Sequence, residues 1–209
     1  MKMQRRQWMS SLLIAGAVFA SPVVLAAEEG PDVMVQRIST EVMDAVKADA
    51  AIQAGDVNRI VALVDSKIMP NVNFSRMTAS AVGRFWRQAT PEQQAKLQTE
   101  FKTLLVRTYA GALGEVKDQS LSFKPTRFRA EDTDVVVRSV VRGRGEPIQL
   151  DYRLEKGADG WKIYDLNVLG IWLVDTYRSQ FAQEINSNGL DGLIATLTQR
   201  NKASGGKAG

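Results

Sequence analysis

Apolar residues along this chain recur first at helical spacing, then at strand spacing, then at helical spacing again. From Pro31 to Ile52, Val35, Ile38, Val42 and Val46 fall every three or four residues, the period at which one helix face meets a core. Pro31 suits the first helical position, where a missing N–H costs nothing. Gly55 interrupts the pattern, and Ile60, Leu63, Val64 and Ile68 predict a second helix over 56–69, ended by Pro70. After a connection at 71–75, a third helix is expected over 77–88 with Val82, Phe85 and Trp86 inside and Ser75 as its cap. Thr90-Pro91-Glu92-Gln93 is a capping box with proline in the first turn. The helix it opens should run to about Glu115, with Leu97, Phe101, Leu104, Leu105, Ala112 and Val116 on one face and Tyr109 at its border.

Beyond Lys117 the period falls to two. Leu121 and Phe123 alternate, and Pro125 suits an edge or a bulge. Val135, Val137 and Val141 alternate with Arg138 and Arg142, while Ile148, Leu150, Tyr152 and Leu154 oppose Gln149, Asp151, Arg153 and Glu155. Gly143-Arg144-Gly145 and Gly157-Ala158-Asp159-Gly160 mark turns, and Trp161 to Leu166 is a fourth strand. One dry and one wet face predict an antiparallel meander. The stretch Asp165 to Ile185 then ends a strand and continues as a helix. Leu169, Leu173, Val174, Tyr177, Phe181 and Ile185 share an arc of about 160°. Val168, Ile171 and Trp172 lie outside that arc, so the first turn is apolar nearly all round. Such a helix start either sits in a central core or lines a cavity. Gly189-Leu190-Asp191-Gly192 leads into a last helix with Leu193, Ile194 and Leu197, and 202–209 reads as a loose tail.

The expected fold is α+β: helices packed on one face of a strongly twisted four-stranded antiparallel sheet. It forms a single domain over 27–201, without repeats or an interdomain linker. Twist against long helices leaves a cone-shaped space, and the residues facing it are almost all apolar. A filled core and a cavity wall show the same stripe, so periodicity leaves both readings open.

Composition narrows what that domain can do. The 209 residues are enough for a domain with a real core. Lys2, Arg5 and Arg6, the apolar run Trp8 to Phe19 and the small residues before Ala27 form a secretory signal peptide, 1–26, cut after Ala26 or, alternatively, Ala27. The run is too short to span a bilayer, and no Cys follows it to carry a lipid anchor. Arg5-Arg6 sits in a poor twin-arginine context, which favours the general export route. The leader takes three of the 27 basic residues and no acid, leaving 24 against 23 Asp plus Glu, a net charge near +1. Without a dense basic cluster, nucleic acid is not an expected partner. The chain has no Cys and no His. Disulfides, thiol and imidazole nucleophilic sites and imidazole metal ligands are therefore excluded.

Trp86-Arg87-x-Ala89-Thr90-Pro91-x-Gln93, then Phe101, Leu105 and Tyr109-Ala110, then Trp161 through Tyr177-Arg178, then Gly189-Leu190-Asp191-Gly192-Leu193 resemble the MlaC family. These are the periplasmic phospholipid-binding shuttles of the maintenance-of-lipid-asymmetry pathway, also called the toluene-tolerance family. The likeness covers essentially the whole expected mature chain in order and spacing. It implies a fold similar to the nuclear-transport-factor-like cone, with an apolar pocket for the acyl chains of a glycerophospholipid and the headgroup near solvent. It further implies a periplasmic, monomeric, non-enzymatic carrier with no cofactor. The implied partners are an outer-membrane lipoprotein–porin complex and an inner-membrane ABC transporter with a ring of lipid-binding subunits. Two departures stand out. Asn73 occupies a place where the family favours Asp, which touches a local cap. Ile171-Trp172 is bulkier than the Val-Ser of some members and is expected to narrow the pocket mouth.

The expected lipid-binding residues are Leu105, Tyr109, Val137, Leu150, Tyr152, Ile163, Leu173, Tyr177 and Phe181, each inward-facing by periodicity or on a matching helix. Plain core packing is the competing reading for every one. The tyrosines are the sharper candidates, because a buried phenol seeks a polar partner and could meet glycerol esters. Arg87 and Arg178 could approach a phosphate or form surface ion pairs. Glu131-Asp132-x-Asp134 could hold Ca²⁺ or be an acidic turn. Two rival classes remain: an enzyme using Asp165, the only carboxylate well placed to point inward, and an adaptor whose core is filled.

Overall fold

The computed structural model describes residues 29–114, 118–143 and 145–205. The leader, Val116, Arg144 and the last residues of the tail lie outside them. Among the described residues the sheet has five strands in the order β1-β2-β3-β4-β5: β1 Ser120–Phe123, β2 Asp134–Arg142, β3 Ile148–Gly157, β4 Gly160–Val168 and β5 Ile171–Trp172. Every pairing is antiparallel between neighbours in the chain, so the meander read from alternation is present with one short strand more than expected. Val137, Tyr152 and Leu166 stand in register across three strands, as do Val135, Leu154 and Ile163. A bulge between Arg153 and Leu154 shifts the pairing, so that Arg153 faces Asp165 while Leu154 faces Ile163. It lets both Ile163 and Leu166 point to the inner face despite their odd separation, and it strengthens the local twist.

The helices follow their local chemistry. Helix α1, Pro31–Ala48, buries Val35, Ile38, Val42 and Val46 as its stripe requires. The single helix expected to Ile52 is divided at Asp49, whose carboxylate accepts from the N–H groups of Ala51 and Ile52 and starts α2, Ala50–Gln53. Helix α3, Val57–Leu63, continues as a wider turn over Val64–Ile68 and a tight one over Met69–Asn71. Helix α4, Phe74–Val82, begins earlier than expected because Asn73, not Ser75, is its cap: Asn73 Oδ1 accepts from Arg76 N at 2.9 Å. The same side chain donates from Nδ2 to Glu155 at 2.6 Å, a bond that an aspartate could not make.

Helix α5, Pro91–Gly114, opens on the expected capping box: Gln93 N donates to Thr90 Oγ1 at 3.2 Å and Thr90 N to Gln93 Oε1 at 3.0 Å. Leu97 and Phe101 are buried as predicted, but further along the buried positions are Val106 and Ala110, and Ala112 is exposed. The reason is that α5 serves two cores on different faces. Leu97 and Phe101 join α4 and α6, whereas Val106 and Ala110 join α1 and the sheet. The two helices expected after the sheet are one element, α6, Leu173–Gly205, bent at Gly189 where φ is 71°. It continues past Lys202, where the loose tail was expected to begin. A Cβ on Gly192 would stand 2.3 Å from that of Asn188, so the bend has room only for glycine there.

One core lies between α1, α2, α3 and the inner face of the sheet; the other joins α4, α5 and α6. Val72 and Leu166 touch both. No helix among the described residues is long and apolar enough to cross a membrane.

Candidate functional site

A cavity of about 300 Å³ opens between α1 and the inner face of the sheet. The strands supply Leu121, Val141, Leu150, Tyr152, Ile163 and Leu166; α1 supplies Ile38, Ser39, Val42 and Met43; Ile68, Val72 and Met77 close the helical side, with Gln119 near β1. Its position follows from two local features. The stripe of α1 turns Ile38 and Val42 inward, and the bulge in β3–β4 keeps Ile163 and Leu166 on one face. The third wall is pinned to β4, since Asn73 N donates to Ile163 O at 2.8 Å beside a parallel bridge from Val72. The volume falls at the lower end of the range for small-molecule pockets, and an apolar lining with few polar groups is usual for them. The cavity's polar lining residues are Ser39, Gln119 and Tyr152, whose phenol is buried. Burial pushes it above its ordinary value, and the hydroxyls of Ser139 and Ser39 beside it oppose that rise.

A second cleft of about 390 Å³ lies between α5 and α6 at the β4–β5 hairpin. Leu104, Val168, Ile171 and Leu173 form its apolar part; Thr108, Tyr109, Thr176, Tyr177, Gln180 and Arg200 are the polar ones. The Tyr177 ring is held edge-on by Phe101 at 4.9 Å and packs on Phe181 at 5.6 Å. Burial raises the Tyr177 phenol, the nearby Tyr109 adds to the rise, and Thr108 and Arg200 oppose it.

The structure divides the residues expected to bind lipid. Leu150, Tyr152 and Ile163 line the first cavity; Tyr109, Leu173 and Tyr177 line the second cleft. Val137 and Phe181 are packed into the two cores and Leu105 against the second, and these three line neither space. The α1 contribution, Ile38, Ser39, Val42 and Met43, was not among the expected site residues. Its only signal was the stripe of α1, which reads as ordinary core.

Asp165 lines neither space. It is 1% exposed, its Oδ1 accepts from Leu166 N and Val174 N, and its Oδ2 accepts from Arg153 at 2.9 Å. Burial raises its carboxyl above the ordinary value, while those two N–H groups and Arg153 pull it down. The apolar first turn expected for α6 is instead a β-hairpin. Leu169 and Gly170 both take positive φ, at 53° and 86°, and Leu169 and Ile171 are 64% and 60% exposed at the tip. Two central residues with positive φ form the turn that matches strand twist. Trp172, expected to narrow a pocket mouth, lies instead under the Arg153 guanidinium at 3.8 Å. Arg178 donates to Ser80 O and pairs with Asp175, Arg87 is exposed, and Asp132 and Asp134 are bonded to Arg129 N and Tyr164 respectively. Among the described residues no group of three carboxylates could hold a metal ion.

A helix-covered, curled antiparallel sheet around an apolar cavity defines an α+β cone with internal binding space. The MlaC protein family model matches residues 36–199, and the chain belongs to that family. It is 22% identical over 200 residues to the intermembrane phospholipid transport system binding protein MlaC of Haemophilus influenzae, covering 94% of each chain. It is 28% identical to the toluene tolerance protein ttg2D of Pseudomonas putida over 181 residues, 86% of this chain and 83% of that one. Among solved structures, a phospholipid-binding protein from Ralstonia solanacearum, in complex with a phospholipid, superposes with a TM-score of 0.81 at 47% identity, covering 83% of this chain and 98% of that one.

Proposed function

We propose that this protein is a periplasmic carrier that holds a glycerophospholipid by its acyl chains. In this reading it moves lipid between an outer-membrane lipoprotein–porin complex and an inner-membrane ABC transporter with its ring of lipid-binding subunits. The observation that carries the reading is the apolar space between α1 and the inner face of the sheet, in a chain 47% identical to a protein solved with a phospholipid. Leu150, Tyr152 and Ile163, with Ile38, Val42 and Met43 across from them, are the proposed acyl contacts. Tyr109, Leu173 and Tyr177 line the neighbouring cleft, and Leu105, Val137 and Phe181 stiffen the frame around both.

Exposing a methylene to water costs about 0.8 kcal/mol, so roughly 30 methylenes from two chains cost more than about 20 kcal/mol. A free lipid monomer therefore crosses water too slowly to be useful, whereas an apolar protein interior makes the exchange with a bilayer close to neutral. Handover needs docking, because the opening must face the donor without water between. No bond is made or broken, which agrees with a chain that has neither Cys nor His and in which the buried carboxylate of Asp165 is occupied in joining β4 to α6. Native mass spectrometry of the protein purified from periplasm, followed by lipid extraction, tests the proposal. The expected result is one phospholipid per chain; a ligand-free mass throughout the preparation overturns it.

A further inference from the structure

Among the described residues, those lining the cavity between α1 and the sheet carry no charge. Its polar groups are already engaged or lie at the edge. The Tyr152 phenol is hydrogen-bonded with the Ser39 and Ser139 hydroxyls, and Ser139 Oγ donates to Leu150 O at 2.8 Å. Gln119 lies against exposed Gly143, where a Cβ would stand 3.0 Å from the Gln119 Cγ. A charged or unpaired polar group entering this space loses its hydration and gains no new partner. The interior therefore favours an uncharged, apolar molecule.

Size and lining narrow the class further. An apolar cavity of about 150 Å³ holds one benzene molecule. This one, at about 300 Å³, has room for two fused rings. Two thioethers, Met43 from α1 and Met77 from α4, share the wall with the Tyr152 ring from β3. Sulfur and aromatic edges make favourable contacts with another ring. Met77 and Tyr152 are buried and so held by their surroundings, while half-buried Met43 is free to adjust.

We propose that this cavity also binds compact, uncharged aromatic hydrocarbons of about ten carbons, in competition with acyl chains. Binding needs no counter-charge, only burial of ring surface against Met43, Met77 and Tyr152. The site is that of the carrier reading, but the proposal stands on the volume and lining of the cavity alone. Its consequence is that a dissolved hydrocarbon blocks lipid loading directly, with no membrane involved.

The methionines supply the readout, because Met43 and Met77 line the cavity whereas Met34 and Met69 do not. Naphthalene is titrated into protein purified from periplasm, stripped of lipid and labelled with ¹³C in its methionine methyl groups, and the methyl resonances are followed by NMR. Saturable ring-current shifts are expected, larger at Met43 and Met77 than at Met34 and Met69. No shift, or shifts spread evenly over all of them, overturns the proposal. Met43→Trp and Leu121→Trp fill the cavity from the helical and the strand side. Each should weaken binding about tenfold or more, read at Met77, with circular dichroism checking the fold. Indifference of a folded variant of either kind overturns the assignment. Ile171→Ser, in the cleft between α5 and α6, should leave binding at the wild-type level, and a comparable loss there moves the ring to that cleft and overturns the proposal. Prior loading with phosphatidylglycerol should lower the affinity for naphthalene about tenfold or more, and shifts undiminished by bound lipid overturn the competition. Stripped protein that takes up phosphatidylglycerol but shows no methionine shift overturns this proposal alone. Protein that binds naphthalene at Met43 and Met77 but takes no phospholipid supports it and overturns the carrier reading alone.

Discussion

Asp165 caps α6 from the neighbouring strand: its Oδ1 accepts the Val174 N–H at 3.1 Å across the β4–β5 hairpin. The same carboxylate pairs with Arg153, whose guanidinium covers the Trp172 ring. One side chain thereby joins the sheet to the helix that walls the second cleft.

Asp165→Ala should cost about 1–3 kcal/mol, because it leaves the Leu166 and Val174 N–H groups without their acceptor, while half-exposed Arg153 keeps Asp175 at 3.9 Å. Asp165→Asn keeps an acceptor and should cost less. Burial raises the Asp165 carboxyl above its ordinary value of 3.8. Its native state therefore binds the proton more readily than the unfolded state. Its contribution to stability is complete below the ordinary value and declines as pH rises through the raised one. The stability gap between wild type and Asp165→Asn, from urea unfolding, should accordingly shrink as pH rises from about 4. A gap that widens instead means the Arg153 pair outweighs burial.

Phe101 is the hub of the helical core, fully buried and in ring contact with Phe74 at 5.7 Å, Tyr177 at 4.9 Å and Phe181 at 5.2 Å. Phe101→Ala should lower stability by about 3–5 kcal/mol, read from denaturant midpoints. A cost under about 1 kcal/mol would mean that this core collapses around the gap.

Met43 is half-buried on the α1 wall of the acyl cavity. Met43→Trp should fill that space and cut phospholipid retention about tenfold. Its stability should change by no more than the roughly 1–3 kcal/mol typical of overpacking. Native mass spectrometry checks occupancy, and a folded variant with full occupancy would move the acyl chains elsewhere.

Leu169 holds φ at 53° with most of its side chain in water. A left-handed conformation costs a bulky residue roughly 1–2 kcal/mol, so Leu169→Gly should raise the melting temperature by about 2–4 °C. If the exposed tip serves docking, lipid handover to a partner membrane complex should slow in the same variant, while occupancy stays unchanged. A lowered melting temperature would show that Leu169 packs usefully despite its exposure.

Much of the architecture was legible in the order of residues. Alternation in β2 and β3 named the meander, the Thr90–Gln93 box set the start of α5, and the Val35–Val46 stripe set α1. Misplaced boundaries trace to chemistry that acts across the chain. Asn73 displaced Ser75 as a cap because it also reaches Glu155 in β3. The expected first turn of α6 became a hairpin because Leu169 N pairs with Gln149 O, a partner outside any local window. The apolar character of Leu169 and Ile171 matched a helix stripe by number while belonging to a strand turn.

The sequence by itself determined the succession of helices, strands and helices, the dry face of each, and the absence of Cys and His chemistry. These depend on neighbours within a turn or a pleat, where side-chain type and spacing carry the energy. Only the tertiary structure decided which apolar positions meet one another and which face open space. Val137 and Tyr152 are register partners with the same inward direction, yet one is sealed in the core and the other lines the cavity. The cavity beside Tyr152 is completed by Ile38, Ser39, Val42 and Met43 of α1, so the outcome depends on packing between segments about a hundred residues apart in the sequence.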